Sequence, residues 1–116
     1  MPYAIVDSED VEPAYGGVFK QIRQRLGLNA FGINQVDLPP GAEGREHDHS
    51  DSGQEEVYLV LAGTGTMTID GEDVDLKPGR YVFVAAASVR KPVAGPEGLS
   101  WVVVGAPPQD GWEPQL

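Results

Sequence analysis

The sequence predicts an all-β fold, an antiparallel barrel or sandwich around a single core. Fifteen glycines and ten prolines cut the 116 residues into short pieces. The apolar runs between them have strand length and are bounded by Gly, Pro and Asp clusters, which is the pattern of sandwiches and barrels. Helical spacing of apolar residues occurs at one place, near the N-terminus. A chain of this length buries roughly two-thirds of its unfolded surface, enough for one core and not for two.

Taken in order, residues 1–28 read as an arm followed by the one short N-terminal helix. The arm is acidic and is broken by Pro13. Phe19, Ile22 and Leu26 then recur at helical spacing, and Gly27 stands where the helix ends. Residues 29–105 read as the barrel. In 30–38, Phe31 and Ile33 share one parity and Val36 and Leu38 the other, which predicts a β-bulge near Asn34 or Gln35. Pro39-Pro40-Gly41 closes that strand and a polar stretch follows. Residues 57–61 are apolar on both parities. Such a strand is covered on both faces, by the core and by a further layer or a partner subunit, so a homodimer is expected. Gly63-Thr64-Gly65 punctuates it. Asp70-Gly71 between 66–69 and 74–76 is a hairpin signal, because a type I′ turn favours that dipeptide. A strand at 81–84, irregular or weakly extended chain over 85–94, a loop at 94–98 and a last strand at 99–104 complete the barrel. Residues 106–116 form a Pro-rich tail laid along the surface.

Charge and composition exclude several function classes. Eighteen Asp and Glu face eight Lys and Arg, for a formal net charge of -10. A surface this negative repels phosphate backbones and anionic membranes, so no nucleic acid and no membrane is expected as a partner. The chain has no cysteine, which removes disulfides, thiolate nucleophiles and cysteine-based metal sites. No basic stretch followed by an apolar run opens it, and its apolar runs fall well short of the ~20 residues of a membrane span. The expected location is cytoplasmic.

His47 and His49 are the two histidines of the chain. Two positions apart on extended chain, they share one face. Glu55 and Glu56 follow at the mouth of the next strand. Two imidazoles and one carboxylate form a facial triad that suits Fe(II) and that zinc or manganese also use. The alternative is a polar loop with two solvated imidazoles, since Asp48, Ser50, Asp51 and Ser52 surround them. Tyr58 and Val60 share parity with Glu56, so they either line a pocket or belong only to the core. Phe31, Phe83 and Trp101 read as core or interface aromatics. Glu55 has the opposite parity and reads as a surface residue or as a second carboxylate orienting an imidazole N–H. No phosphate-binding glycine loop and no nucleophilic triad is present.

Gly41, then His47-Asp48-His49, then Glu56 with Gly63 resembles the first signature of the cupin superfamily. Residues 70–84, with Asp70-Gly71-Glu72, Leu76-Lys77-Pro78-Gly79 and Val82-Phe83-Val84, resemble a degenerate second signature. The resemblance runs from about residue 36 to 104. It implies a small antiparallel jelly-roll barrel, often dimeric, with a metal inside. It assigns His47, His49 and Glu56 as metal ligands, Glu56 rather than Glu55 because the count back from Gly63 falls there. The gap from His49 to Glu56 is longer than the family's by a residue or two, which places extra loop at Asp51-Ser52-Gly53.

The family's fourth ligand is a histidine, and its place falls at Arg90. Arginine stays protonated and offers no lone pair. Three outcomes are open. A metal sits on three ligands while Arg90 binds an anionic group of the small-molecule ligand. Alternatively, Arg90 forms a bidentate pair with Glu56 and replaces the metal. In the third, Arg90 points to solvent beside Lys91 and Pro92.

The expected cofactor is a divalent ion, Fe, Mn, Ni, Zn or Cu, or none if Arg90 displaces it. A metal-dependent enzyme on a small polar or anionic molecule stands beside a metal-free binding or sensing module using Arg90, His47 and Tyr58. A scaffold with a vestigial pocket is the third reading. Oxygenation, isomerisation and lyase or hydrolase chemistry are equally compatible with the residues.

Overall fold

A computed structural model of the chain describes residues 2–116. Its strands are β1 (Phe19–Lys20), β2 (Gly32–Leu38), β3 (Glu55–Ile69), β4 (Glu72–Leu76), β5 (Tyr81–Val84) and β6 (Arg90–Ala106), with one helix, α1 (Ile22–Leu26). All pairings between these strands are antiparallel, in the order β1-β2-β6-β3-β4, with β5 also on β3. The fold is the expected all-β antiparallel barrel with one short helix near its N-terminus.

The two long strands make the roll. The first part of β3 pairs with β5 and with the end of β6; its second part pairs with β4 and with the start of β6. The register shifts between Val60 and Ala62 and between Gly63 and Gly65, so β3 bends there instead of stopping. A residue other than glycine cannot occupy position 63. Its φ is +77°, and an added Cβ would lie 2.0 Å from the carbonyl oxygen of Gly98. Gly63-Thr64-Gly65 is thus a bend within one strand, a correction to the expected break. The expected loop at 94–98 is likewise strand, since β6 begins at Arg90 and runs to Ala106, while the chain before it is irregular over 85–89 and extended from 90.

Two further expectations are corrected. Helix α1 starts at Ile22, and Phe19 lies on β1 opposite Val36. Gly27 does end the helix, in the left-handed conformation with φ 73°. Strand β2 carries no bulge: it pairs one-to-one with β6 from Gly32 opposite Gly105 to Leu38 opposite Leu99. Its change of apolar parity marks two faces that are both apolar, Val36 and Leu38 inward and Ile33 outward.

The core is formed by inward residues of both halves, among them Val36, Leu38, Tyr58, Val60, Met67, Leu76, Val84, Leu99 and Trp101. The outer face of the first half is apolar too. Phe83, Val57, Val104 and Ile33 stand in one register row across β5, β3, β6 and β2. Phe83 is 59% exposed and Val57 37%, so the described residues supply no second covering layer for that face. A shallow groove beside it is lined by Phe31, Phe83 and Val104 together with Pro107, Pro108 and Trp112 of the tail. Among the described residues, no helix is long and apolar enough to cross a membrane.

Candidate metal centre

Glu56 is the second residue of β3 and shares its inward face with Tyr58 and Val60, as period-two alternation requires. His47 and His49 come from the chain between β2 and β3. That segment is held by backbone hydrogen bonds to the start of β6 and to the loop before it. His47 N–H donates to the Arg90 carbonyl at 3.0 Å, Arg90 N–H returns to the His47 carbonyl at 2.9 Å, and His49 N–H donates to the Ala86 carbonyl at 2.8 Å. Turn residue Asp70 secures the same region, its carboxylate accepting from Val89 N–H at 2.8 Å. The two imidazoles therefore approach from one half of the barrel and the carboxylate from the other.

They converge. One ligand atom from each of His47, His49 and Glu56 lies within 4.8 Å of the others. His49 Nε2 is 3.3 Å from Glu56 Oε2, and His47 Nε2 is 3.9 Å from Glu56 Oε1. Ligand atoms about 2.1 Å from an ion stand about 3.0 to 3.4 Å apart in octahedral or tetrahedral sites. A small contraction of the triad would meet that geometry. Buried His49 Nε2 has no hydrogen-bond partner, as befits a donor atom aimed at an ion. The residues present fit a divalent metal.

The surroundings orient the ligands. His47 Nδ1 lies 3.1 Å from the Arg45 carbonyl, a contact that leaves Nε2 as the nitrogen free to meet an ion. Burial pushes the His47 pKa down, aided by the Arg90 charge and opposed by the Arg45 carbonyl contact. Glu56, 7% exposed, accepts from Tyr58 Oη at 2.8 Å and from Gln54 Nε2 at 2.9 Å. Burial, then the neighbouring Glu56 charge, pushes the Tyr58 pKa up, so the phenol keeps its proton. Gln54 fits because residue 105 is glycine: a Cβ there would lie 2.8 Å from Gln54 Nε2.

A cavity of about 530 Å³ opens onto this cluster. Its wall includes His47, His49, Gln54, Glu56, Tyr58 and Asn34 on the polar side, and Val18, Val36, Leu38, Val103 and Trp101 on the apolar side. Glu43 and Arg45 also border it.

Arg90 is not in that wall. The residue is fully buried, which corrects the outcome that pointed it to solvent. Nη1 donates to the Ser88 carbonyl at 2.8 Å, and Nη2 lies 3.4 Å from Glu56 Oε1. Nε and Nη2 have no hydrogen-bond partner, so the bidentate clasp of Glu56 is not formed. Glu55 lies on the outer face, exposed, and borders the groove at the tail rather than the imidazoles. The backbone of Arg45 contacts the His47 ring in its place. Gln54 was missed by sequence reasoning although its parity matches that of Glu56. The Arg45 carbonyl leaves no mark on side-chain pattern.

A family model described as the cupin domain matches residues 34–105. Dimethylsulfoniopropionate lyase DddW of Ruegeria pomeroyi is 32% identical over 108 residues, covering 84% of this chain and 68% of that protein. A cupin protein from Bacteroides fragilis superposes with a TM-score of 0.82 at 23% identity, covering 100% of this chain and 92% of that one. A predicted oxalate decarboxylase from Thermotoga maritima gives 0.76 at 22% identity, covering 90% of this chain and 100% of that one. These two structures share the fold.

Proposed function

The chain belongs to the cupin family, and from that premise we propose that it binds a divalent transition metal through His47, His49 and Glu56 and acts on a small polar or anionic molecule in the adjoining cavity. The observation that supports this reading is the convergence of three donor atoms within 4.8 Å at a cavity wall. A bound ion of this kind supplies Lewis acidity and acidifies coordinated water. The protein's own groups do the rest. Gln54 and Tyr58 hold the Glu56 carboxylate in place, and Arg45 sets the face of His47. The apolar wall excludes water from one side of the ligand.

Lyase chemistry is the reaction class we favour, because the Ruegeria relative is a lyase. Purified protein is incubated with Fe(II), Mn(II), Ni(II), Zn(II) or Cu(II), desalted and analysed for metal. It is then assayed for release of dimethyl sulfide from dimethylsulfoniopropionate. One ion per chain, lost in the His47→Ala, His49→Ala double variant, is the expected result; no stoichiometric metal overturns the reading.

A second reading has its own support. Arg90 stands 3.4 Å from Glu56 Oε1 and offsets its buried charge in the absence of an ion, so the cluster needs no metal to be electrically matched. Thermal-shift screening of metal-free protein against small carboxylates and sugar phosphates tests it. The same proposal takes the outer row of exposed Phe83, Val57 and Val104 with half-buried Ile33 as the contact between two copies of the chain.

A further inference from the structure

The residue in the fourth-ligand position changes the charge of the centre without touching the cavity. Two neutral imidazoles, one carboxylate and a divalent ion sum to one positive charge, and a neutral fourth histidine would leave that sum unchanged. Arg90 adds a second positive charge that is permanent. It cannot swing away: the side chain is fully buried, its backbone is paired with His47, and Nη1 is held by the Ser88 carbonyl. Among the described residues, Glu56 is the only carboxylate in ion-pair contact with it. Without metal, the buried charge of Glu56 balances Arg90; the Asp48 and Asp70 carboxylates also feel Arg90, but both are exposed and screened by water. With metal, the Glu56 carboxylate must serve both cations.

We infer that the centre takes its metal together with an anion, and that Arg90 is the positioning residue that imposes this requirement, acting from behind Glu56. The inference rests on the metal-binding reading above and names its ligand class: a small carboxylate or comparable anion that occupies an open coordination position. The overall charge of -10 makes the local surplus necessary, since the surface itself repels anions. By linkage, an anion that requires the metal must tighten the metal in return.

Cobalt(II) titrations followed by visible absorption test this, with acetate as the anion and acetamide as its neutral isostere. In the wild type, acetate is expected to raise cobalt affinity about tenfold or more, and acetamide to leave it unchanged. Arg90→Gln is expected to bind cobalt more tightly than wild type without acetate and to lose the acetate effect. Arg90→Lys, which keeps the charge, is expected to retain it. An acetate effect of equal size in Arg90→Gln overturns the inference and leaves the metal site standing. A wild type that binds no cobalt overturns both. If Arg90→Gln fails to fold by circular dichroism, the wild type decides alone: equal effects of acetate and acetamide refute the anion requirement, and an effect of acetate alone supports it.

Discussion

The guanidinium of Arg90, with none of its side-chain surface exposed, stands 3.4 Å from Glu56 Oε1. Buried charges are tolerated when matched and costly when one partner is removed. In metal-free protein, Glu56→Leu is expected to cost about 3–5 kcal/mol, because it leaves Arg90 alone in the interior. The double variant Glu56→Leu, Arg90→Met is expected to cost less than Glu56→Leu by itself. Urea denaturation of the wild type, Glu56→Leu, Arg90→Met and the double variant checks this. Additive losses would show that the two charges do not balance each other.

Gln54 donates to the Glu56 carboxylate of the candidate centre, and such supporting contacts govern ligand orientation. Gln54→Ala is expected to lower metal affinity about 10- to 100-fold while the fold survives. Competition against a chromophoric chelator measures it. Unchanged affinity would mean that the Gln54–Glu56 hydrogen bond does not position the ligand.

The pH dependence of the metal-free protein has a definite sign. Burial depresses the folded-state pKa of His47, so in the window between the two pKa values the unfolded chain binds the proton more readily. The contribution to stability is therefore fully present above the unfolded value of about 6.5 and is lost as pH falls through the folded value. Urea midpoints measured from about pH 7.5 to about pH 5.5 should fall for wild type and fall less for His47→Gln. Identical slopes would remove His47 as the source.

Phe83 and Val57 occupy opposing positions on the exposed outer face. Phe83→Asp is expected to convert a dimer to a monomer in sedimentation analysis, with the barrel intact by circular dichroism. A wild type that is already monomeric at micromolar concentration contradicts the proposed contact.

The site was legible because its chemistry is carried by parity and spacing. His47 and His49 share a face across one residue, and Glu56 shares the inward face of β3 with Tyr58. The path of the chain was less legible. Phe19 fits a helical period with Ile22 and Leu26, yet a tight turn pairs it with Ala14 and β2 takes it opposite Val36. Local spacing does not record that competition. Glycine marks both ends and bends, so Gly63 and Gly98 looked like breaks although strands run through them. The place of Arg90 could be counted along the chain, but its direction depends on packing between β6 and the His47 segment.

Anomalous scattering from crystals of the metal-loaded protein, recorded at the absorption edge of the added ion, bears most directly on the metal centre. The account predicts one peak about 2.0–2.3 Å from His47 Nε2, His49 Nε2 and a Glu56 carboxylate oxygen. A peak elsewhere, or no peak with Glu56 clasped by Arg90, would contradict it.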